Sequence, residues 1–183
     1  MPKVDITDAV VGRDTITVGE GNMRSESDIE QALELHGDAV WRACVLHVSS
    51  CADAQDIYQD TFLRYALADE HVFTDDEHRK AWLLRVALNK CKDFNKAAAR
   101  KCAPLNDLAA TKPTEDPLVK PGSLAFEVVD AFCRMTDPPK TPAYLAICEG
   151  YTAPEISEMI DAPVNSVYTW ISRGRAFLKE ALL

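Results

Sequence analysis

Glycine is scarce in this sequence, with seven among 183 residues. No stretch approaches the ~18 consecutive apolar residues that a membrane span requires, and the first residues carry neither the basic patch nor the apolar core of a signal peptide. There is also no glycine-rich phosphate loop, no paired metal ligands and no nucleophile–base motif. These absences argue against a membrane-inserted, secreted or catalytic protein. We expect a cytoplasmic protein that is not an enzyme and needs no cofactor.

The six cysteines include no CxxC pair. Cys44, His47 and Cys51 have a spacing that places them on one side of a helix, but a metal site there would need a compatible fourth ligand. In a reducing compartment, scattered cysteines are usually small buried apolar residues, so we expect core packing and no metal. The four histidines have no evident partners in the sequence: His36, His47, His71 and His78.

Acidic residues outnumber basic ones by 29 to 20, which gives a net charge of −9. Affinity for nucleic acid depends mainly on neutralising phosphates, so this balance argues against a protein that grips free DNA alone. Apolar residues make up 47% of the chain and charged residues 27%, as is typical of a helix-rich globular protein. The distribution of charge along the chain is more informative than its sum.

Prolines divide the chain. Residues 103–123 contain Pro104, Pro113, Pro117 and Pro121, which cannot all lie inside helices. We therefore predict an all-α protein with two small helical domains, 23–102 and 124–183, joined by this linker. Residues 1–22 are polar and lack a helical period, which favours a loosely ordered extension.

The N-terminal domain reads as three helices. Ser27 and Glu30 have the spacing of a capping box that would open the first helix. A second helix is predicted from Asp53 to about Leu67, followed by a break over 68–77. A long third helix is predicted over 78–100.

The second of these helices has an acidic face. On a helical wheel one side carries three carboxylates with an apolar and a basic neighbour, and the other side turns Ala54, Ile57, Thr61 and Tyr65 to the core. Such a face suits docking to a basic protein partner, although a solvated helix face is the plainer alternative. The candidate docking residues are Asp53, Asp56, Gln59, Asp60, Leu63 and Arg64.

The third helix is basic instead. Cationic and amide side chains recur on one line, as tracking of a phosphate backbone requires. Phe73 and Trp82 lie near its start, and aromatic rings beside a basic stripe are used to stack unpaired bases. For the Trp82 indole we favour core packing. The candidate DNA-binding residues of this region are Phe73, Arg85, Asn89, Lys92 and Lys96.

The C-terminal domain shows the pattern of a helix-turn-helix. Thr152 and Glu155 form a capping box, and the segment 161–163 breaks the chain before a second helix. Val167, Ile171, Gly174 and Leu178 make the buried seam of that helix, so small polar groups and an arginine face outward, as in DNA-reading helices. An ordinary helical hairpin is the alternative. The candidate DNA-binding residues are Asn165, Ser166, Tyr168, Thr169, Ser172 and Arg173.

These segments resemble the sigma factors of bacterial RNA polymerase. The segment 53–64 resembles the part of region two that docks on the polymerase clamp helices. The segment 73–89 is similar to its continuation, which captures and melts the minus-ten element. The segments 149–160, 163–167 and 172–175 resemble region four, which reads the minus-thirty-five element. The short chain is similar to the extracytoplasmic-function (ECF) group.

The resemblance implies binding to core RNA polymerase and promoter DNA, with an anti-sigma factor as a further candidate partner. Some positions depart from the family pattern. Tyr168 and Trp170 stand where the family usually has cations, Asp161 where it commonly has glycine, Thr141 where a basic residue is frequent, and Arg79 where an apolar residue is usual. The loss of cations at Tyr168 and Trp170 is expected to weaken contacts with the DNA backbone at the minus-thirty-five element.

Two other functions remain open at this stage. One is a helix-turn-helix regulator that binds DNA by itself, which the net charge of −9 disfavours. The other is a sigma-like interaction protein that has lost promoter recognition, an idea that Tyr168 and Trp170 favour.

Overall fold

The structure, a computed structural model, describes residues 23–68, 71–101 and 124–182. The extension predicted over 1–22 and the linker predicted over 103–123 lie outside these residues. The described chain forms helices and no strand, which confirms the all-α fold. The helices are α1 (Glu26–His47), α2 (Cys51–Leu67), α3 (Asp76–Lys101), α4 (Leu124–Arg134), α5 (Lys140–Ile147), α6 (Ala153–Ile160) and α7 (Val164–Ala181).

The start of α1 differs from the prediction. Ser25, and not Ser27, is the N-cap, and its hydroxyl oxygen accepts a hydrogen bond from the backbone N–H of Asp28. Both serines precede the same apolar pattern, so the sequence alone favoured the residue with glutamate three positions later. Helix α2 also begins two residues before Asp53, because Ser50 caps it.

Helices α1, α2 and α3 enclose the first apolar cluster. Their buried contributions come from every third or fourth position, as an amphipathic helix requires. The larger members of this cluster are Val40, Cys44, Ile57, Phe62, Tyr65 and Leu83.

A second apolar cluster joins the helices before and after the linker. Ala39, Ala43 and Leu46 of α1 lie in it together with α3 residues such as Leu84. The helices after the linker contribute the rest, including Phe132, Tyr144, Leu145, Ile156, Val167 and Ile171. Helices α1 and α3 therefore bury one set of side chains against α2 and another against α4–α7.

The turn between α6 and α7 and the packing of α7 follow the predicted pattern. Asp161 has a φ of 51°, a left-handed conformation that glycine adopts without steric cost, which accounts for the glycine usual here. In α7, Val167, Ile171, Gly174 and Leu178 are buried. A Cβ built on Gly174 would lie 2.3 Å from the Cβ of Ala143, so α5 and α7 approach closely because this residue has no side chain.

Candidate polymerase- and DNA-binding surfaces

Helix α2 presents the predicted acidic face. Its inner side is buried at Ala54, Ile57, Thr61 and Tyr65, as the helical wheel predicted. On the outer side Leu63 is 55% exposed. Around it Asp56 and Gln59 are exposed, whereas Asp53, Asp60 and Arg64 are half-buried. A helix face that combines an exposed leucine with carboxylates suits docking to a basic protein partner.

Asp60 differs from the other carboxylates of this face. Its Oδ2 lies 2.5 Å from Nζ of Lys90 on α3. The pair ties α2 to α3 and partly neutralises the carboxylate within the molecule. The acidic charge open to a partner therefore lies mainly at Asp53 and Asp56.

Helix α3 carries the predicted basic stripe. Asn89, Lys92 and Lys96 are exposed, and Arg85 is half-buried. Nζ of Lys96 lies 3.7 Å from Oδ1 of Asp93, an exposed pair one turn apart. An exposed pair of this kind is worth little, so it does not remove the stripe's positive character.

The aromatic residues near the start of α3 form a cluster. Phe73 is half-buried and stacks on Tyr65, with 5.8 Å between ring centroids and an interplanar angle of 29°. Trp82 packs against the first apolar cluster and meets Tyr65 edge-on, which agrees with its predicted role in the core. Phe73 is thus held by neighbouring rings with only part of its surface open to solvent.

Asp28 organises a charged group beside these rings, which we call the Asp28 cluster: Arg24, Asp28, Tyr65 and Arg79. Asp28 Oδ2 accepts hydrogen bonds from Tyr65 Oη at 2.8 Å and from Arg24 Nη1 at 3.2 Å. Arg79 Nη2 lies 3.5 Å from its Oδ1. Arg79, at a position where the family usually has an apolar residue, therefore has an ionic role here.

The Asp28 cluster shifts two pKa values. Burial by itself raises the pKa of Asp28, but the hydrogen bonds from Tyr65 and Arg24 and the charges of Arg79 and Arg24 outweigh it, so the pKa lies below its ordinary value of 3.8. Burial, together with the hydrogen bond to Asp28, raises the pKa of Tyr65 to about 12. At neutral pH the cluster therefore holds a carboxylate and a neutral phenol.

A second charged group, the Glu149 cluster, lies between the two halves of the chain: Arg42, Lys80, Tyr144 and Glu149. Tyr144 Oη donates to Glu149 Oε1 at 2.7 Å, and Lys80 Nζ lies 3.0 Å from Oε2. Arg42 Nη2 lies 3.3 Å from Oε1. Burial raises the pKa of Glu149, but the hydrogen bonds from Tyr144 and Lys80 and the two cationic charges hold it below 4.5.

Helix α7 turns the predicted DNA-reading residues outward. Asn165, Tyr168, Thr169, Ser172 and Arg173 are exposed, and Ser166 is half-buried. The Thr169 hydroxyl donates to the carbonyl oxygen of Asn165 at 3.0 Å, so its proton is used within the helix. Trp170 packs against the second apolar cluster.

The structure gives His47 and His78 hydrogen-bond partners that the sequence did not indicate. The ring of His47 bonds through Nδ1 to the carbonyl oxygen of Ala43 at 2.8 Å and through Nε2 to Thr141 Oγ1 at 3.0 Å. His78 Nδ1 accepts from the backbone N–H of Thr74 at 3.3 Å. Thr141, at a position where the family often has a base, therefore bonds across the junction of the two halves.

Cys44 and His47, two of the three residues considered for a metal site, make other contacts. Cys44 is buried in the first apolar cluster, where its sulfur contacts Cys91, and this contact together with burial raises the pKa of its thiol. Within the described part of the chain no group of three or more His, Cys, Asp or Glu residues is placed to hold a metal ion. Nor is any helix there long and apolar enough to cross a membrane.

The sequence did not point to Arg24, Asp28 or Glu149 as members of charged clusters. Most of their contacts join residues 37 to 107 positions apart along the chain, where no local spacing connects the partners. The local contacts are Arg24 with Asp28, four positions apart, and Tyr144 with Glu149, five positions apart. In the sequence the unusual cation at Arg79 and the spacing of Arg24 and Asp28 were the available signals.

Comparison with known proteins agrees with the all-α fold. Residues 32–101 match the family model of sigma-70 region 2. The chain is 25% identical over 179 residues to the ECF RNA polymerase sigma factor SigW of Bacillus subtilis, an alignment that covers 90% of this chain and 92% of that protein.

Two solved structures share the fold. CnrH, in complex with the cytosolic domain of CnrY, is 24% identical with a TM-score of 0.58, covering 87% of this chain and 90% of its own. The sigma factor RpoE from Bartonella quintana, in complex with the anti-sigma factor NepR, is 20% identical with a TM-score of 0.67, covering 85% and 97%.

Residues 32–101 therefore form a sigma-70 region 2 domain, which is found in regulatory proteins. Over most of its length the chain is similar to sigma factors of the extracytoplasmic-function type, and the comparisons support a function in directing transcription initiation.

Proposed function

We propose that the chain binds core RNA polymerase through the exposed face of α2 and reads promoter DNA with α3 and α7. The observation that carries this proposal is the contrast between the two faces of α2. Its inner face is buried, and its outer face leaves Leu63 exposed among the carboxylates of Asp53 and Asp56. A basic partner would cover the leucine and neutralise the carboxylates together, which gives both affinity and orientation.

The DNA-binding part of the proposal rests on exposure and charge. Asn89, Lys92 and Lys96 form an open line along α3, suited to the backbone near the minus-ten element. On α7, the exposed side chains of Asn165, Ser172 and Arg173 suit contacts in a major groove. The net charge of −9 favours DNA binding within a polymerase complex over binding by the chain alone.

The proposed function also requires the two halves to separate. At about 3.4 Å per base pair, the roughly 25 base pairs between the two promoter elements span ~85 Å. A compact body of this size has a diameter of only about 40 Å. The arrangement with a shared apolar cluster therefore cannot reach both elements at once, and we propose that α4–α7 leave α1 and α3 when the chain binds the promoter.

The proposal includes no catalytic role, and it places the protein in the cytoplasm, where core polymerase and promoter DNA are found. An anti-sigma factor is a further proposed partner, by likeness to the two solved structures, each of which is a complex. The linker and the boundaries predicted for the two domains remain part of the proposal.

The test is complex formation between the full chain and bacterial core RNA polymerase, followed by size exclusion. The Asp53→Lys/Asp56→Lys variant should lose co-elution or bind at least about tenfold more weakly, because the reversed charges repel a basic partner. Asp60 is left unchanged because it is paired with Lys90.

The matched control is Glu158→Lys/Glu180→Lys, which makes the same change of charge at two exposed residues of α6 and α7. It should co-elute as the unmodified chain does. If the unmodified folded chain forms no complex at micromolar concentration and low salt, the proposal is wrong, and DNA binding by the chain alone or a decoy role becomes the leading hypothesis. Equal weakening by both variants would show a general charge effect and would also contradict the docking site.

A further inference from the structure

Arg24, which directly precedes the cap of α1, contacts the C-terminal end of α2 with most of its hydrogen-bonding groups. Its Nε donates to the carbonyl oxygen of Tyr65 at 3.1 Å, and its Nη2 donates to that of Ala68 at 2.7 Å. The same Nη2 donates to the carbonyl oxygen of His71. Its backbone N–H donates to Ala66 at 3.0 Å. The last carbonyl groups of a helix have no hydrogen-bond donors within the helix. Arg24 therefore provides donors for the carbonyl groups at the end of α2.

The guanidinium group of Arg24 also fits the charge and the shape of the C-terminal end of α2. A cation at a helix C-terminus is stabilised by the helix dipole. The Cζ atom of Arg24 lies 4.7 Å from the ring centroid of Tyr65 and 4.9 Å from that of Phe73, which are cation–π distances. Its Nη1 bonds to Asp28, and its side chain is only 12% exposed. One side chain thus joins α1, the end of α2 and the segment that follows.

That segment is held at its other end by α3. The backbone N–H of Thr74 donates to Nδ1 of His78 at 3.3 Å, and Asp75 Oδ1 accepts from the N–H of His78 at 2.7 Å. Between the two attachments lie Val72, which is 82% exposed, and Phe73. The residues from 71 to 74 are therefore held in place at both ends, with an open apolar side chain between.

We infer that Arg24 is a positioning residue for minus-ten recognition, because its guanidinium sets the conformation of residues 71–74. The inference rests on the proposed function, in which this segment and α3 face the minus-ten element. Arg24 need not touch DNA, since its groups are used by the protein. Lysine cannot replace it, because the arrangement uses the planar fork and several N–H groups, whereas lysine offers a compact point charge.

The first experiment measures hydrogen exchange in the full chain. Arg24→Lys should speed exchange of the backbone amides of residues 71–74 by about tenfold or more and leave α6 and α7 unchanged. Arg134→Lys is the matched control, because Arg134 is exposed on α4 and pairs with Asp130 one turn away; it should leave the amides of residues 71–74 unchanged. Unchanged exchange in Arg24→Lys would overturn the inference.

The second experiment measures base preference. Holoenzymes reconstituted with each variant select transcribed promoters from a pool randomised in both elements. Arg24→Lys should reduce discrimination at the minus-ten positions by about tenfold and leave minus-thirty-five preference intact. Intact minus-ten preference despite faster exchange would show that Arg24 is only structural and overturn the inference. Failure of the unmodified chain to bind polymerase would instead overturn the proposed function and the minus-ten role with it, and the exchange experiment would still decide whether Arg24 holds the segment.

Discussion

The Asp28 cluster and the Glu149 cluster are built from the same parts. Each has one carboxylate, one tyrosine hydroxyl that donates to it, and two cations. Their cations include the adjacent α3 residues Arg79 and Lys80, which project on different sides of the helix because successive residues differ by about 100°. The first cluster joins segments within the N-terminal half, and the second joins the two halves.

The difference between them lies in burial and in what each connection must do. The side chain of Glu149 is 2% exposed, whereas that of Asp28 is 25% exposed. Breaking an ion pair costs more the more deeply the remaining partners are buried. Under the proposed function the Glu149 cluster must open and the Asp28 cluster must persist. The Glu149 cluster is therefore a reversible junction between the two halves, whereas the Asp28 cluster is a permanent support within the N-terminal half.

The largest expected effect is loss of the Glu149 carboxylate. Glu149→Ala should lower the free energy of unfolding by about 3 kcal/mol, because it leaves Lys80 and Arg42 without their carboxylate and removes one of the two acceptors of the buried Tyr144 hydroxyl. Glu149→Gln should cost less, since the amide oxygen can still accept from Tyr144. Urea unfolding at pH 7 measures both, and small-angle scattering should show a larger radius of gyration for the alanine variant. A cost no greater than that of the exposed control Glu158→Ala would contradict this role.

The junction should also weaken in mild acid. Burial, with the nearby charge of Lys140, lowers the pKa of His47 from 6.5 to about 4. As the pH falls below 6.5, the unfolded chain binds a proton there that the folded chain does not, so stability present above pH 6.5 is lost. The free energy of unfolding should drop by about 2 kcal/mol between pH 6.5 and pH 4.5 from this group.

His47→Gln isolates the contribution of this histidine to the pH dependence. Because His36, whose pKa is also lowered by burial, remains in both proteins, the difference in slope reports His47 alone. Urea unfolding at several pH values gives these slopes, and parallel profiles for the two proteins would exclude the effect. The Glu149 carboxylate loses its own contribution only at lower pH, as the pH falls from 4.5 through its depressed pKa.

Loss of charge at Asp28 should have a smaller and more local effect. Asp28→Asn should cost about 1.5 kcal/mol, because Arg24 and Arg79 lose a charged acceptor but keep some contact with water. Hydrogen exchange should become faster around residues 71–74 and stay unchanged across the junction with α4–α7. Glu30→Gln, an exposed change on the same helix, is the control. Faster exchange at the junction would mean that the two clusters are coupled.

The smallest expected effect tests the cap that precedes Asp28. Ser25→Ala should lower the free energy of unfolding by about 1 kcal/mol, the usual cost of removing an N-cap. Ser27→Ala should change it by only a few tenths. Thermal unfolding of both variants distinguishes them, and a larger loss from Ser27 would restore the capping box that the sequence pattern favoured.

Local patterns explain why much of the fold was predictable. On α2, helical periodicity distinguished the buried Ala54 and Ile57 from the exposed Leu63. On α7 it identified the buried Val167, Ile171 and Gly174. Both predictions depend only on neighbours within a few helical turns. The prediction that Ser27 opens α1 was wrong, since Ser25 also stands before the same apolar pattern and is the N-cap.

The candidate surfaces were predictable to the extent that exposure follows from the same periodicity. The pairing of Asp60 with Lys90 could not be predicted, because the two charges meet only when α2 packs against α3. The hydrogen bonds of His47 to Thr141 and of Arg24 to the end of α2 could not be predicted either, because they also form only when the helices pack together.

The sequence by itself determined the three helices of the N-terminal half, the helix-turn-helix, the segregation of charge and the family resemblance, because each of these depends on short-range spacing. Only the tertiary structure decided that both halves share an apolar cluster, that Arg24 holds the end of α2, and that Glu149 joins Arg42 to Lys80. These contacts link residues up to 107 positions apart. Their partners are chosen by which helix faces meet, and that depends on the packing of the whole chain.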